Sequence, residues 1–370
     1  MNYLLSEKSL LSKFKGNLGE DDYKEPLSIL LDSLNNEANL SLIGKTALRY
    51  QIKSHLKIRS KIFEFLEGKE LEKPASPIFV IGLPRSGTTF LFNLLSLDSN
   101  HRSPLAWEMF FPFPIVEQNT KGYKRRVKKT DFMMVFQRKL IPGLDLVHPI
   151  QSTDPEECLL ITPFSLKSLL YSYMARIPSY EDYLKQTDHA SVFLWHSRFL
   201  QVLESFQRPK RWLLKDPGHI GRLHEILAVY PEASFIQIHR DPVETIPSIC
   251  SLTEKTRRPF TKRINKNEIG ARTLSYWEGS LAKGEKEKSN ISQDKFINLK
   301  FEDFIVKPIE QIKAIYSQLD LNLDKETERK MVDFVQNFEK VEKAKHSYEL
   351  SEFGLSKESV QNTLSKYISF

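Results

Sequence analysis

Cysteine is scarce: Cys158 and Cys250 are the only two in 370 residues. They cannot make a disulfide framework, so a reducing compartment is expected. Long apolar runs are missing as well. None approaches the ~20 residues needed to span a bilayer, so no integral membrane segment is expected. The opening MNYLLSEKSLLSKFKG has no basic stretch leading into a long apolar core, which argues against a signal peptide. A cytoplasmic protein is the expectation. Metal-ligand spacing is also lacking. His219 and His224 do not form an HExxH pair and the two cysteines stand apart, so no metal is expected. Internal repeats and low-complexity tracts are absent.

The composition that is present, 40% hydrophobic and 27% charged, is that of a globular chain able to bury a core. Its length suits one large domain or two small ones. The formal charge of +7 suits an anionic ligand and is too mild to point to nucleic acid, so no nucleic-acid partner is expected. The densest basic run, KGYKRRVKK at 121–129, reads first as a solvated helix face or loop. A docking site for a charged partner is the second reading.

Apolar spacing predicts helices through residues 1–66, interrupted at Gly44, and then a polar, proline-bearing linker, EGKELEKPASP. IFVIGL reads as a buried strand and Thr88–Leu97 as a helix. Residues 100–210 mix proline, aromatics and charge with helical patches such as HASVFLWHSRFLQVLESF. RWLLK, SFIQIH and KFINLKF read as further strands, with GRLHEILAVY a helix between the first two. Strand, helix, strand at this spacing predicts a parallel βαβ unit, hence an α/β fold: a P-loop-type parallel sheet flanked by helices. Residues 1–75 are expected to form a helical N-terminal segment packed on the core. Residues 76–370 are expected to form the main domain, with a helical insertion around 100–210.

Gly82-Leu83-Pro84-Arg85-Ser86-Gly87-Thr88-Thr89 has the G-x-x-x-x-G spacing of a phosphate loop. Gly87 lets backbone N–H groups turn inward, and a helix beginning near Thr88 adds its positive dipole end. A nucleoside-triphosphatase loop would carry lysine where Thr88 stands, with a hydroxyl beside it on Mg²⁺. Here Arg85 and two threonines suit an anionic ligand held without a metal. FIQIHRDPVETIPSICSL repeats the architecture. A strand ends at His239, Asp241 suits an N-cap, Pro242 the first helical position and Glu244 a capping box. Arg240 stands at the mouth of that helix and Ser248 about two turns along it. Two anion sites at the ends of parallel strands suggest a ligand with two separated phosphates.

These motifs resemble the sulfotransferase superfamily, whose donor is 3′-phosphoadenosine-5′-phosphosulfate, PAPS. PRSGTT resembles its 5′-phosphosulfate loop, Pro84 to Thr89, and HRDPVETIPS its 3′-phosphate motif, with Arg240 and Ser248 as the matching ligands. LLKDPGH looks like the Lys-Asp-Pro stretch of tyrosylprotein sulfotransferases. Together with INLKFEDFIVKPIEQIKAIYSQLDL, AWEMFFPFP and HSYELSEFGLS, the likeness to bacterial-type sulfotransferases covers most of the chain. It implies transfer of a sulfuryl group from PAPS to a small-molecule or lipid hydroxyl, or to a nitrogen, with PAP as product and no metal.

Within that resemblance Lys215 is the candidate cation on the leaving oxygen. Glu108, between Trp107 and Met109, is the first candidate for the base and His219 the second. The chain departs from the pattern in three places, one being that the glycine-rich C-terminal signature of cytosolic small-molecule enzymes is absent. Asp216 stands where many relatives have serine or threonine, and His219 lies two residues later than the base histidine of cytosolic small-molecule enzymes. HSYELSEFGLS is a candidate cofactor-closing segment. The competing readings are a P-loop kinase-like phosphotransferase, disfavoured by the missing lysine, and a catalytically inactive nucleotide-binding scaffold.

Overall fold

The computed structural model describes residues 5–12, 14–70, 72–117, 119–144, 150–340 and 348–367. Its contacts group the chain into two compact units. One comprises the chain up to Pro74, Pro104–Arg208 and Leu252–Asn265. The other comprises Ala75–Ser103, Pro209–Ser251 and the chain from Lys266 on. The segments read from sequence as an N-terminal helical piece and an insertion therefore fall largely in one unit.

That first unit is helical. Lys24–Asn36, Leu42–Leu66, Pro178–Gln186 and Ala190–Glu204 are its longer helices beside Lys121–Leu140. Leu27, Leu30, Leu34, Leu48, Ile52 and Leu56 close a core with Tyr171 and Tyr180, following the three-and-four spacing of the apolar residues. Gly44 does not interrupt the second helix as expected. It lies in its first turn, where Ser41 accepts the Gly44 N–H at 3.0 Å. A Cβ at Gly44 would meet the Phe260 carbonyl oxygen at 2.0 Å, so glycine is there for close approach.

The second unit is built on a five-stranded parallel sheet. Its strands are β1 (Pro77–Gly82), β2 (His101–Arg102), β3 (Arg211–Lys215), β4 (Ser234–His239) and β5 (Phe296–Lys300), in the order β2-β3-β1-β4-β5. Four of them are the strands expected from sequence. The fifth, β2, is an edge pairing of two residues with Arg211 and Trp212. The crossover from β3 to β4 passes over β1, which lies between them.

Strands buried on both faces read as unbroken apolar runs, and β1 and β4 are buried along their whole length. On one face Ile78, Val80, Leu213, Ile236 and Ile238 pack with Leu91 and Leu94 of the helix Thr88–Leu95. On the other, Phe79 stacks on Phe235 at 5.8 Å and Phe235 on Phe296 at 5.9 Å. Because β1 is flanked by β3 and β4, the loops leaving the C-terminal ends of all three strands are neighbours. Among the described residues no helix is long and apolar enough to cross a membrane.

Candidate active site

The loop after β1 turns sharply. Gly82, Arg85 and Gly87 have φ of 146°, 70° and 99°. At Gly87 a Cβ would lie 2.7 Å from the Phe301 ring, so both backbone angle and space require glycine. Gly87 is also the N-cap of the helix Thr88–Leu95, and no side chain caps that end. The first-turn N–H groups, which have no acceptor within a helix, are therefore left to the loop side, together with the positive end of the helix dipole.

Three cations converge on this loop. Lys215 ends β3 beside Val80 of β1, and its Nζ donates to Thr89 Oγ1 at 3.1 Å. The lysine side chain is buried. Arg85 Nε donates to Ser248 Oγ at 3.1 Å, which ties the loop to the helix Pro242–Arg257. Arg240 Nη1 donates to the Arg85 carbonyl at 3.1 Å, and its guanidinium lies 4.2 Å from the centre of the Phe301 ring. Arg85, Arg240 and Ser248 thus form one cluster, and Lys215 and Thr89 a second contact on the same loop. His239, the last residue of β4, adds no cation at neutral pH. Burial pushes its imidazole down to about 4, against a bond to Asn298 Oδ1 at 3.1 Å.

Glu244 does not complete a capping box. Asp241 caps through the Val243 N–H at 2.8 Å, whereas Glu244 Oε2 accepts from Arg240 at 2.6 and 3.0 Å. An exposed pair four residues apart on a helix is worth about 0.3–0.5 kcal/mol. A charge-assisted contact with a phosphate is worth roughly 1.5–3 kcal/mol, more than that pair. Ser86 Oγ is buried and has no hydrogen-bond partner among the described residues. A buried hydroxyl inside a loop of open N–H groups and cations fits an oxyanion ligand.

The other candidates lie elsewhere. Side chains alternate along a strand. Lys215 therefore shares the face of Val80 and of the helix Thr88–Leu95. Phe79 points to the opposite face, and His219 packs edge-on against its ring at 5.4 Å. His219 and Lys215 thus leave the sheet on opposite faces. Asp216, the departure noted above, accepts the Gly218 N–H at 2.7 Å and caps the short helical turn carrying His219.

Glu108 belongs to the other compact unit. It is buried in the short helix Ala106–Phe110, where its Oε2 accepts the Leu105 N–H at 2.9 Å. The backbone of 105–107 is held by residues 152–155, including Trp107 N–H to the Ser152 carbonyl at 2.9 Å. Cys158 does not stand alone, because His196 Nε2 lies 3.3 Å from its Sγ.

Of HSYELSEFGLS, His346 and Ser347 lie outside the described residues. The remainder forms a short turn, Leu350–Phe353, whose Phe353 is buried and whose Glu352 pairs with Lys266 at 2.9 Å. Phe301 was missed in the sequence. It supports both Gly87 and Arg240, and its only local signal is an aromatic residue directly after a strand.

The sequence profile described as the sulfotransferase family matches residues 77–325. The chain belongs to the sulfotransferase family. The matched span runs from β1 past β5 and includes the loop after β1, Lys215, Arg240 and Ser248. Among characterised relatives, the omega-hydroxy-beta-dihydromenaquinone-9 sulfotransferase Stf3 of Mycobacterium bovis is 27% identical over 253 residues. That alignment covers 66% of this chain and 63% of the relative, so the chain spans somewhat less than two thirds of the relative's length.

The crystal structure of sulfotransferase STF1 from Mycobacterium tuberculosis superposes with a TM-score of 0.85 at 27% identity, covering 98% of this chain and 99% of that one. The structure of STF9 from Mycobacterium avium gives a TM-score of 0.84 at 24% identity, with coverage of 97% and 94%, and shares the fold.

Proposed function

We propose that this protein transfers the sulfuryl group of PAPS to a hydroxyl of a small-molecule or lipid acceptor, releasing PAP, without a metal. The observation that carries this reading is the convergence of Arg85, Lys215 and Arg240 on one uncapped phosphate loop at the C-terminal edge of the sheet. In this reading the loop N–H groups, Ser86, Thr88 and Thr89 hold the 5′-phosphosulfate, while Arg240 and Ser248 hold the 3′-phosphate. The acceptor oxygen attacks sulfur, the bond from sulfur to the bridging oxygen breaks, and PAP departs with that electron pair. Lys215 stabilises the charge that grows on the leaving oxygen. Glu108 takes the acceptor proton, with His219 as the alternative base. Proximity and a fixed charge array supply the rest of the acceleration.

Support for a lipid-type hydroxyl comes from likeness to a relative named for an omega-hydroxylated dihydromenaquinone. A nitrogen acceptor stays within the same chemistry. The two buried thiols, Cys158 and Cys250, suit a reducing cytoplasm.

The assignment of the two phosphates is tested by Arg240→Ala. Loss of one charge-assisted contact, roughly 1.5–3 kcal/mol, is expected to weaken PAP about 10- to 150-fold. Adenosine 5′-phosphosulfate, which has no 3′-phosphate, is expected to lose far less. Equal losses for the two ligands by calorimetry would remove Arg240 from the 3′-phosphate site.

A further inference from the structure

The basic run singled out in the sequence lies on the helix Lys121–Leu140, capped by Thr120, whose hydroxyl accepts the Tyr123 N–H at 3.2 Å. One face of this helix is fixed to its own unit. Arg126, Thr130 and Met134 are buried, Arg126 donates to the Phe111 carbonyl, and Tyr123 meets Trp107 edge-on at 5.4 Å. The opposite face is solvent-exposed over the whole length of the helix. Residues 121, 124, 125, 128, 132, 135, 136 and 139 recur at three-and-four spacing and form one stripe.

That stripe is not an ordinary solvated face. Its first turns carry Lys121, Lys124, Arg125 and Lys128, with Lys129 alongside, and Lys139 closes its far end. Between them stand Phe132, Val135 and Phe136, which are 75%, 46% and 59% exposed. The only acidic residue in the helix is Asp131. Large apolar side chains on a soluble helix are normally turned inward, and this helix already has an inward face. A dense positive charge on the same stripe as two phenylalanines needs a partner that is anionic at its surface and apolar just beneath.

We propose that this helix docks the enzyme on an anionic phospholipid surface, with Phe132, Val135 and Phe136 entering the headgroup boundary and the flanking lysines and Arg125 neutralising the headgroups. The occupant follows from complementarity. Nucleic acid would satisfy the charges but offers Val135 nothing. A second copy of this chain would bring +7 against +7. Attachment to such a surface would also suit a lipid-type acceptor, but it does not depend on the sulfuryl-transfer reading.

The test is co-sedimentation of the full chain with phosphatidylcholine vesicles, with and without phosphatidylglycerol, in the absence of donor and acceptor. Binding is expected to the anionic vesicles and not to the neutral ones, and to weaken as salt rises. Each basic residue near such a surface strengthens attachment about fivefold, so Lys124→Gln/Arg125→Gln/Lys128→Gln is expected to weaken binding about a hundredfold. Phe132→Ser/Phe136→Ser should also reduce it, and Phe132→Trp should show a blue-shifted emission on anionic vesicles alone. All these positions are exposed, so folding should be preserved, and circular dichroism checks that it is. Equal binding to both vesicle types, or no effect of either set of substitutions, overturns the proposal. So does a dimer that the phenylalanine substitutions dissolve, or binding to duplex DNA with none to vesicles.

Discussion

Replacing Lys215 by methionine is expected to lower the maximal rate of PAPS-dependent transfer by about 10²–10³, the usual effect of deleting one group aimed at developing charge. Methionine keeps most of the volume of a side chain that is 1% exposed and packed near Phe92, so the sheet should remain intact. What is lost is the ammonium that now donates to Thr89 Oγ1 at 3.1 Å. The diagnostic is a split between rate and affinity. The bridging oxygen carries little charge in bound PAPS and gains it as the bond to sulfur breaks, so PAPS affinity should weaken by about tenfold at most while the rate falls further. If PAPS affinity falls while the single-turnover rate on bound PAPS is unchanged, Lys215 merely binds the donor and another group serves the leaving oxygen.

Glu108→Gln is the second large expected effect. Glutamine keeps the carbonyl oxygen that can accept the Leu105 N–H, so the helix Ala106–Phe110 keeps the bond through which Glu108 holds its first turn. It cannot take up the acceptor's proton. Single-turnover sulfuryl transfer should therefore fall by about 10²–10⁴ while PAP affinity changes little. His219→Asn should cost less, because His219 packs against Phe79 on the face of the sheet away from Lys215. Near-normal single-turnover rates for Glu108→Gln, with collapse in His219→Asn, would move the base to the histidine and leave Glu108 as a structural carboxylate.

The parts of the sheet that sequence made legible are those whose strands are mostly buried. β1, β3, β4 and β5 each bring an apolar run, because helices cover both faces of a parallel sheet. β2 was illegible because His101 and Arg102 are polar and owe their strand character to pairing with Arg211 and Trp212. The turn after β1 could be read because its requirements are local: a glycine at positive φ and a helix start. Phe301 could not, since its contacts with Gly87 and Arg240 join residues distant in sequence.

Glu244 shows a local rule losing to a neighbour. The spacing of Asp241 and Glu244 satisfies a capping box, but the guanidinium of Arg240, four residues back, takes the carboxylate instead. The helices within 24–66 were legible from their apolar spacing, and within 104–208 only helical patches such as that of Ala190–Glu204 were. Their shared core was not, because a pattern of apolar residues says that a face is covered and not what covers it.

On this reading the loop after β1, together with Arg240 and Ser248, holds a nucleotide with two separated phosphates and needs no metal to do so. Isothermal titration of PAP into the full chain, in buffer with excess EDTA and again with Mg²⁺, tests it directly. Binding that is unchanged by EDTA, with Mg·ATP much weaker, is the predicted result. Tight Mg·ATP binding that EDTA abolishes, with no heat from PAP, would contradict it.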